Sequence, residues 1–385
     1  MIKMQNYTST LSNTATTVGN CQVLPARIAG PGTLHLRFPS AHSLVKVQRL
    51  VNSFGWSHTH TCGSLSIKVP VTDISPFALS MRETLQPLER ADVRVIFQAE
   101  GREVALDSFF EVDSLDSFLT RLQGSWLIDM MQQDRLSSVF QPIVHCDDSS
   151  RVFAYECLLR GKEGDNVVCP DRLLGAARGL GFLQQLDLWA RDLALRSAAG
   201  HGINDKIFIN FTPTALHNPL YCLRSTATTV DDLGLKREQI VFEITEGECI
   251  HDVAHLCETL GHYRDCGFGL ALDDLGSGYA SLNLLGCLRP DYVKLDQGLV
   301  RGVDHDSYKG LIARKLLETA SELGIETVAE GVESEAEHTW LKQHGADYVQ
   351  GFHFALPASP PPRVRRLPQR HEVFNSWSTP MACAA

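Results

Sequence analysis

Between residues 139 and 354 the chain repeats one alternation, a short apolar run followed by an amphipathic stretch. Eight strand candidates lie there, at 139–145, 152–159, 206–211, 240–245, 269–274, 292–295, 327–331 and 348–354. The run Gly269-Leu270-Ala271-Leu272 has the character of a strand buried on both faces. Helical patterns separate most of the strands, most clearly at 183–199 and 308–323. Eight strands alternating with helices predict a (β/α)8 barrel of the TIM type. One connection departs from that rule. Only Cys146-Asp147-Asp148-Ser149-Ser150-Arg151 separates the first two strands. A parallel crossover needs about a dozen residues. The first strand is therefore predicted to run antiparallel, as one arm of a hairpin.

The polar residues of this half gather at strand ends. Asp273-Asp274 closes the fifth strand, and Leu275-Gly276-Ser277-Gly278 follows as a tight turn. Two adjacent carboxylates repel each other and need a cation or a shared proton. Neighbours on a regular strand point to opposite faces, so both reach one site only where the pleat relaxes. The alternative is a solvated turn whose acids cap a helix. Glu156 and Asn210 lie near the ends of the second and third strands, and Glu243 and Glu246 mark the fourth. Lys294 is on the sixth strand, Glu330 and Glu333 are at the seventh, and Gln350 is on the eighth. Strand C-terminal ends form the active face of such a barrel. Seven carboxylates would then converge against one lysine, which requires divalent cations. Carboxylates plus an amide oxygen suit Mg²⁺ or Mn²⁺ rather than zinc. Two such ions are the usual apparatus for phosphodiester hydrolysis. Taken singly, each acid reads more readily as a solvated loop residue or a helix cap; their recurrence on consecutive strand ends favours the shared site.

The net charge of −10 rules out a global basic field that would draw duplex nucleic acid or anionic lipid. An anionic substrate then needs local cations. No uninterrupted apolar stretch is long enough for a membrane span, and the Ser/Thr-rich start lacks an apolar signal core. The 11 cysteines are scattered without a CxxC pair, which predicts reduced thiols and a cytoplasmic location.

Ahead of the barrel, residues 1–30 are polar and are expected to be disordered. Residues 31–110 read as a small α+β regulatory domain. Strands at 33–38, 56–61, 65–69 and 93–97, with helices after Ser40 and over 74–88, give the order β-α-β-β-α-β of a ferredoxin-like sandwich. His58, His60 and Cys62 share one strand face. They are either metal ligands or an exposed polar face, and structural zinc sites normally show turn-type spacings. A linking helix is expected over 111–137, the barrel over 138–357, and a disordered Pro/Arg-rich tail over 358–385.

Glu156-Cys157-Leu158-Leu159-Arg160 resembles the Glu-Ala-Leu-x-Arg signature of EAL-domain phosphodiesterases, which linearise cyclic di-GMP to pGpG. The likeness continues through Gln141-Pro142-Ile143-Val144, Leu186-Asp187-x-Trp189, Asn210-Phe211-Thr212-Pro213, Glu243-Ile244-Thr245-Glu246 and the Asp273-Asp274 loop. Val293-Lys294-Leu295-Asp296, Ala329-Glu330-Gly331-Val332-Glu333 and Gln350-Gly351-Phe352 complete it. That family's fold is a modified TIM barrel with an antiparallel first strand. The resemblance implies that Glu156, Asn210, Glu243 and Asp273 ligate one metal ion, and that Asp273 and Asp274 hold a second. Lys294 would orient or help activate the attacking water. Glu330 would act at the second metal or as the base. Arg160 would grip a phosphate, Glu246 would brace the loop after Asp274, Glu333 would face substrate or water, and Gln350 would hold water beside the ions. The resemblance also implies a homodimer paired around the Asp273-Asp274 loop.

Cys157 stands where the signature has Ala, and as a strand neighbour of Glu156 it is expected to be small, buried and inert. Thr212, Gly247, Leu275 and Ala280 also depart from the pattern. The competing function is a degenerate EAL module that binds the dinucleotide or a protein partner without cleavage. Loss of metal ligands would mark it, and none is lost.

Overall fold

The computed structural model describes residues 31–71, 73–101, 112–212, 219–245, 253–276 and 281–363. The expectations for residues 1–30, for Glu246, Gly247 and Ala280, and for the tail after residue 363 lie outside the described residues.

The N-terminal unit runs β1 (Gly32–Arg37), α1 (Ala41–Ser53), β2 (His58–Thr61), β3 (Ser64–Val69), α2 (Ser75–Thr84), α3 (Pro87–Asp92) and β4 (Arg94–Ala99). Its sheet order is β2-β3-β1-β4, all antiparallel, with β5 (Asp113–Ser114) added outside β4. This is the anticipated ferredoxin-like order with one extra edge strand. Alternation places Leu34, Leu36, Leu65, Ile67 and Val95 on the covered face, against Leu44, Val47 and Val51 of α1 and Phe77 and Met81 of α2. The single helix expected over 74–88 is two. Pro87 pushes the residue before it out of the helical region. Gln86 and Leu85 are accordingly extended, with ψ of 157° and 138°.

Helix α4 (Leu115–Gln132) belongs to two cores. Leu115, Phe118, Leu119 and Leu122 close the N-terminal core. Leu127, Ile128, Met130 and Met131 pack with α5 (Pro170–Leu180) and the start of α6 (Leu183–Gly200). A Cβ at Gly124 would meet Leu180 Cγ at 2.7 Å, so glycine is what lets α4 and α5 approach.

The second unit is the barrel. Its strands are β6 (Leu136–His145), β7 (Val152–Glu163), β9 (Lys206–Phe211), β10 (Ile240–Thr245), β11 (Gly269–Leu275), β12 (Tyr292–Leu295), β13 (Glu326–Ala329) and β14 (Tyr348–Val349). Strand β8 (Asn166–Val168) extends β7 at the rim as an antiparallel ribbon. The sheet closes through the β6–β7 and β14–β6 pairings, both antiparallel; the other barrel pairings are parallel. The short Cys146–Arg151 connection thus has the effect argued for it. Outside the strands lie α5, α6, α7 (Pro219–Asp232), α8 (Val253–Asp265), α9 (Ser281–Leu288), α10 (Gln297–Val300), α11 (Ser307–Leu323) and α12 (Glu335–Gln343). Past β14, Ala358 bridges back to Phe140 of β6, and Tyr155 Oη donates to the Pro362 carbonyl at 3.2 Å.

The expectation of reduced cysteines needs correcting. Cys257 of α8 is joined to Cys287 of α9, their Cα atoms 6.5 Å apart, and Cys169 is disulfide-bonded as well. A pair separated by 30 residues leaves no spacing motif; packing of α8 beside α9 creates it. The cytoplasmic assignment loses the support it drew from the thiols. Among the described residues no helix is long and apolar enough to cross a membrane.

Candidate active site in the barrel lumen

Each barrel strand contributes one residue to an apolar layer inside the lumen: Ile143, Ala154, Phe208, Val241, Ala271, Tyr292, Val328 and Tyr348. Side chains two apart on a strand share a face. Two positions further toward the C-terminal end of the parallel strands stand Glu156, Asn210, Glu243, Asp273, Lys294, Glu330 and Gln350. The antiparallel β6 offers Gln141, two positions before Ile143. An apolar layer therefore carries a polar layer directly above it. Glu330 and Gln350 sit just beyond the ends of β13 and β14, which are shorter than the expected strands.

Lys294 is the centre of the polar layer. Its Nζ lies 2.5 Å from Glu330 Oε1, 2.7 Å from Glu243 Oε1, 3.1 Å from Asp273 Oδ1 and 3.6 Å from Glu156 Oε2. Burial works against its charge, but Asp273, Glu156, Glu243 and Glu330 outweigh burial and hold the ammonium well above its ordinary pKa. Gln350 Nε2 donates to Glu156 Oε2 at 2.6 Å and to Gln141 Oε1 at 3.2 Å, and Asn210 Nδ2 reaches Glu156 Oε1 at 3.4 Å. These amides hold both oxygens of the Glu156 carboxylate, Gln350 sharing Oε2 with Lys294.

Asp274 shows how two neighbouring acids come to share one site. Its φ is +57°, and the register of β11 against β12 shifts between Leu272 and Leu275. The bulge breaks the pleat and re-aims the side chain; aspartate tolerates this left-handed conformation better than most residues. Carboxylate oxygens of Asp273, Asp274 and Glu330 all lie within 4.8 Å of one another. Burial, then the charge of Asp273, push Asp274 up to about 6, while Lys294 pulls the other way. Glu243 is raised well above its ordinary value by burial and then by Glu156. Burial likewise raises Asp273 and Glu330 against the pull of Lys294.

The cluster is short of positive charge. Glu156, Glu243, Asp273, Asp274 and Glu330 carry a formal −5 against +1 from Lys294, leaving −4, which two divalent cations would balance. Geometry says the same. The lysine contacts are charge contacts at short range, yet both Glu243 oxygens and Asp273 Oδ1 are buried without an aligned hydrogen-bond donor. Oxygens in that state suit a hard cation, which needs only their lone pairs. Gln350 Oε1 is also buried without a donor and is left able to accept from water.

The remaining candidates lie off the ring. Arg160 is further along β7, half-buried, its Nη1 donating to the Leu159 carbonyl at 2.9 Å; burial lowers its pKa while Glu156 opposes. Glu333 is at the rim, half exposed, and accepts from Arg301 Nη2 at 2.7 Å. Cys157 is buried outside the lumen, and burial pushes its thiol well up. His58, His60 and Cys62 do not converge; the metal-compatible groupings among the described residues lie elsewhere. Gln141 was missed by sequence reasoning as a lumen residue, although the Gln-Pro-Ile-Val run contains it. An open cavity of about 910 Å³ lies at the opposite end of the strands; its lining mixes Lys206 and Arg289 with Glu238, Asp291 and Glu326, so it is not short of positive charge in the same way.

The EAL domain family matches residues 125–357. The cyclic di-GMP phosphodiesterase NbdA of Pseudomonas aeruginosa is 28% identical over 240 residues, which are 59% of this chain and 29% of that protein. The chain thus spans less than a third of that relative's length. A standalone EAL protein from Vibrio cholerae, solved in its c-di-GMP-bound form, is 36% identical with a TM-score of 0.53, covering 60% of this chain and 95% of its own. The PaMucR phosphodiesterase, solved in complex with c-di-GMP, is 27% identical with a TM-score of 0.56, covering 61% of this chain and 97% of its own.

Proposed function

The chain belongs to the EAL domain family, and from that premise we propose that it is a metal-dependent phosphodiesterase hydrolysing cyclic di-GMP to linear pGpG. The observation that carries this reading is the polar layer itself: five carboxylates, one ammonium and orphaned buried oxygens on one level of the lumen. Glu156, Asn210, Glu243 and Asp273 would hold one Mg²⁺ or Mn²⁺. Asp273 and Asp274 would hold the other, with Glu330 beside it. The bound ions would activate water and neutralise charge on the phosphate. Lys294, anchored by four carboxylates, would orient that water; Glu330 would act at the second ion or take the water's proton. Gln350 holds Glu156 through its amide and would steady water with its free oxygen. Arg160 would grip a phosphate from the mouth, and Glu333 would meet substrate at the rim after releasing Arg301.

Purified protein incubated with cyclic di-GMP and Mg²⁺ or Mn²⁺ should yield pGpG, resolved by chromatography, and excess EDTA should abolish it. Tight binding of cyclic di-GMP without product would instead establish the receptor reading.

We also assign the protein to homodimers whose N-terminal domains modulate turnover through α4, which is shared between the two cores.

A further inference from the structure

We propose that Glu335, His338 and His353 form a second metal site, for one Zn²⁺ or a similar borderline divalent ion. It is separate from the carboxylate ring and independent of the phosphodiesterase reading. One donor atom from each of the three lies within 4.8 Å of the other two. Glu335 and His338 stand three apart on α12, so they share a helix face. His353 comes from the segment after β14, fixed by its backbone N–H donating to the Val332 carbonyl at 3.0 Å.

The state of His338 points to a ligand. The ring is buried, and its Nε2 lies 2.9 Å from the Cys146 carbonyl oxygen. A carbonyl only accepts, so Nε2 carries the hydrogen and Nδ1 of the neutral ring keeps its lone pair. Metal-binding histidines are typically held this way, by an outer carbonyl or carboxylate that fixes the tautomer. His353 Nε2 lies 3.1 Å from Glu335 Oε2. Two ligands of a tetrahedral zinc, with bonds near 2.0–2.1 Å, stand about 3.3 Å apart. That pair is at ligand-to-ligand spacing, and an ion would take the place of the hydrogen between them, releasing it as a proton.

The neighbouring acid is not available. Glu337 Oε1 accepts from the Gly302 N–H at 2.8 Å, and its Oε2 accepts from those of Glu333 and Ser334 at 2.9 Å each. The donor set is therefore two imidazoles and one carboxylate. It selects zinc, cobalt or nickel over magnesium, the reverse of the all-oxygen ring. An ion here would tie α12 to the segment that carries Gln350.

The test titrates full-length protein with Zn²⁺ by calorimetry, in excess Mg²⁺ to fill the carboxylate ring. One tight zinc per chain is expected, with a rise in Tm, and it should persist in the D273N/D274N double variant. His353→Ala and Glu335→Ala should weaken it by about 100-fold or more. Both positions are less buried than His338, so they keep the test decisive if His338→Gln does not fold. Cobalt should give a visible absorption band that these variants lose. Zinc binding unchanged in both alanine variants, or lost in D273N/D274N while the alanine variants bind normally, would overturn the site.

Discussion

The two layers of the barrel lumen are built on the same eight strands, two residues apart, and behave as opposites. The lower layer is satisfied from within. Phe153 stacks on Tyr348 at 3.6 Å, and Phe208 meets Tyr292 edge-on at 5.3 Å. The upper layer is not: its acids exceed its single lysine, and three of their buried oxygens lack an aligned hydrogen-bond donor. Backbone geometry is common to both, so the difference is chemical. The same scaffold holds a closed core at one level and, one pleat higher, a set of groups whose negative charge exceeds what the chain's own lysine supplies.

The largest effect should come from removing one charge in the upper layer. Glu243→Gln or Asp273→Asn takes away a proposed metal ligand at nearly constant shape. Turnover of cyclic di-GMP should fall by about 10³-fold or more, a loss of roughly 4 kcal/mol of transition-state stabilisation. The metal-free variant should nonetheless melt higher than the parent, because a buried, repelled carboxylate is gone. A variant that loses activity and also melts lower in EDTA would mean that the upper layer is as self-sufficient as the lower one.

Lys294→Met reverses the sign on stability. It should cut kcat by about 10²-fold while leaving KM within about threefold, the pattern of an interaction made mainly in the transition state. Four carboxylates lose their common counter-ion, so the metal-free chain should lose about 3 kcal/mol or more. A raised KM with kcat unchanged would assign Lys294 to substrate binding instead.

Phe208→Ala probes the lower layer. Loss of a buried aromatic should cost ~3–5 kcal/mol in unfolding free energy, with or without EDTA. The kcat of the folded fraction, measured at low temperature, should stay within about threefold. A stability cost that depended on metal would show that the two layers do not act separately.

Much of this division was legible in the residues. The strands announced themselves because a strand buried on both faces has an apolar run, and Glu156, Asn210, Glu243 and Asp273 interrupt such runs near their ends. Gln141 was not legible as their companion. Its strand runs the other way, so the polar residue precedes the apolar one, and only the register to Glu156 reveals the pairing. The Asp273-Asp274 pair left two readings open until the positive φ at Asp274 removed the objection from strand alternation. The Pro87 break, the β8 ribbon and the Cys257–Cys287 bridge depend on packing between segments that sequence spacing does not report. His338 and His353 lie on different elements, and only the barrel's closure brings them to Glu335.

Acid should separate the layers next. Metal holds only the ionised carboxylate, and Asp274 is raised to about 6 by burial and then by Asp273. Mg²⁺ affinity, read by calorimetry, should fall roughly tenfold per pH unit below about pH 6. In the metal-free protein the sign is opposite. A raised carboxyl pKa makes the native chain the stronger proton binder, so stability declines as pH rises from the ordinary 3.8 through about 6. Magnesium affinity flat between pH 5 and pH 7 would place Asp274 outside the metal set.

The smallest effect should come from the region furthest from the lumen, and α4 decides how to look for it. A fragment beginning at Leu115 keeps the whole helix but uncovers Leu115, Phe118, Leu119 and Leu122, which belong to the N-terminal core. Such a fragment should associate through that exposed stripe and give a false reading of oligomeric state. Beginning at Gly124 removes the stripe and keeps Leu127, Ile128, Met130 and Met131 against α5 and α6. If the N-terminal domain acts on the site, its influence passes through this half-helix and the close α4–α5 contact at Gly124 and Leu180. The shorter fragment should then keep metal-dependent hydrolysis but differ from the full chain by roughly fivefold in rate, the low end of ordinary coupling energies. Light scattering should show a shifted dimer population over the same concentrations. Identical rates and identical oligomeric states would leave α4 as packing alone and remove the regulatory role from the N-terminal domain.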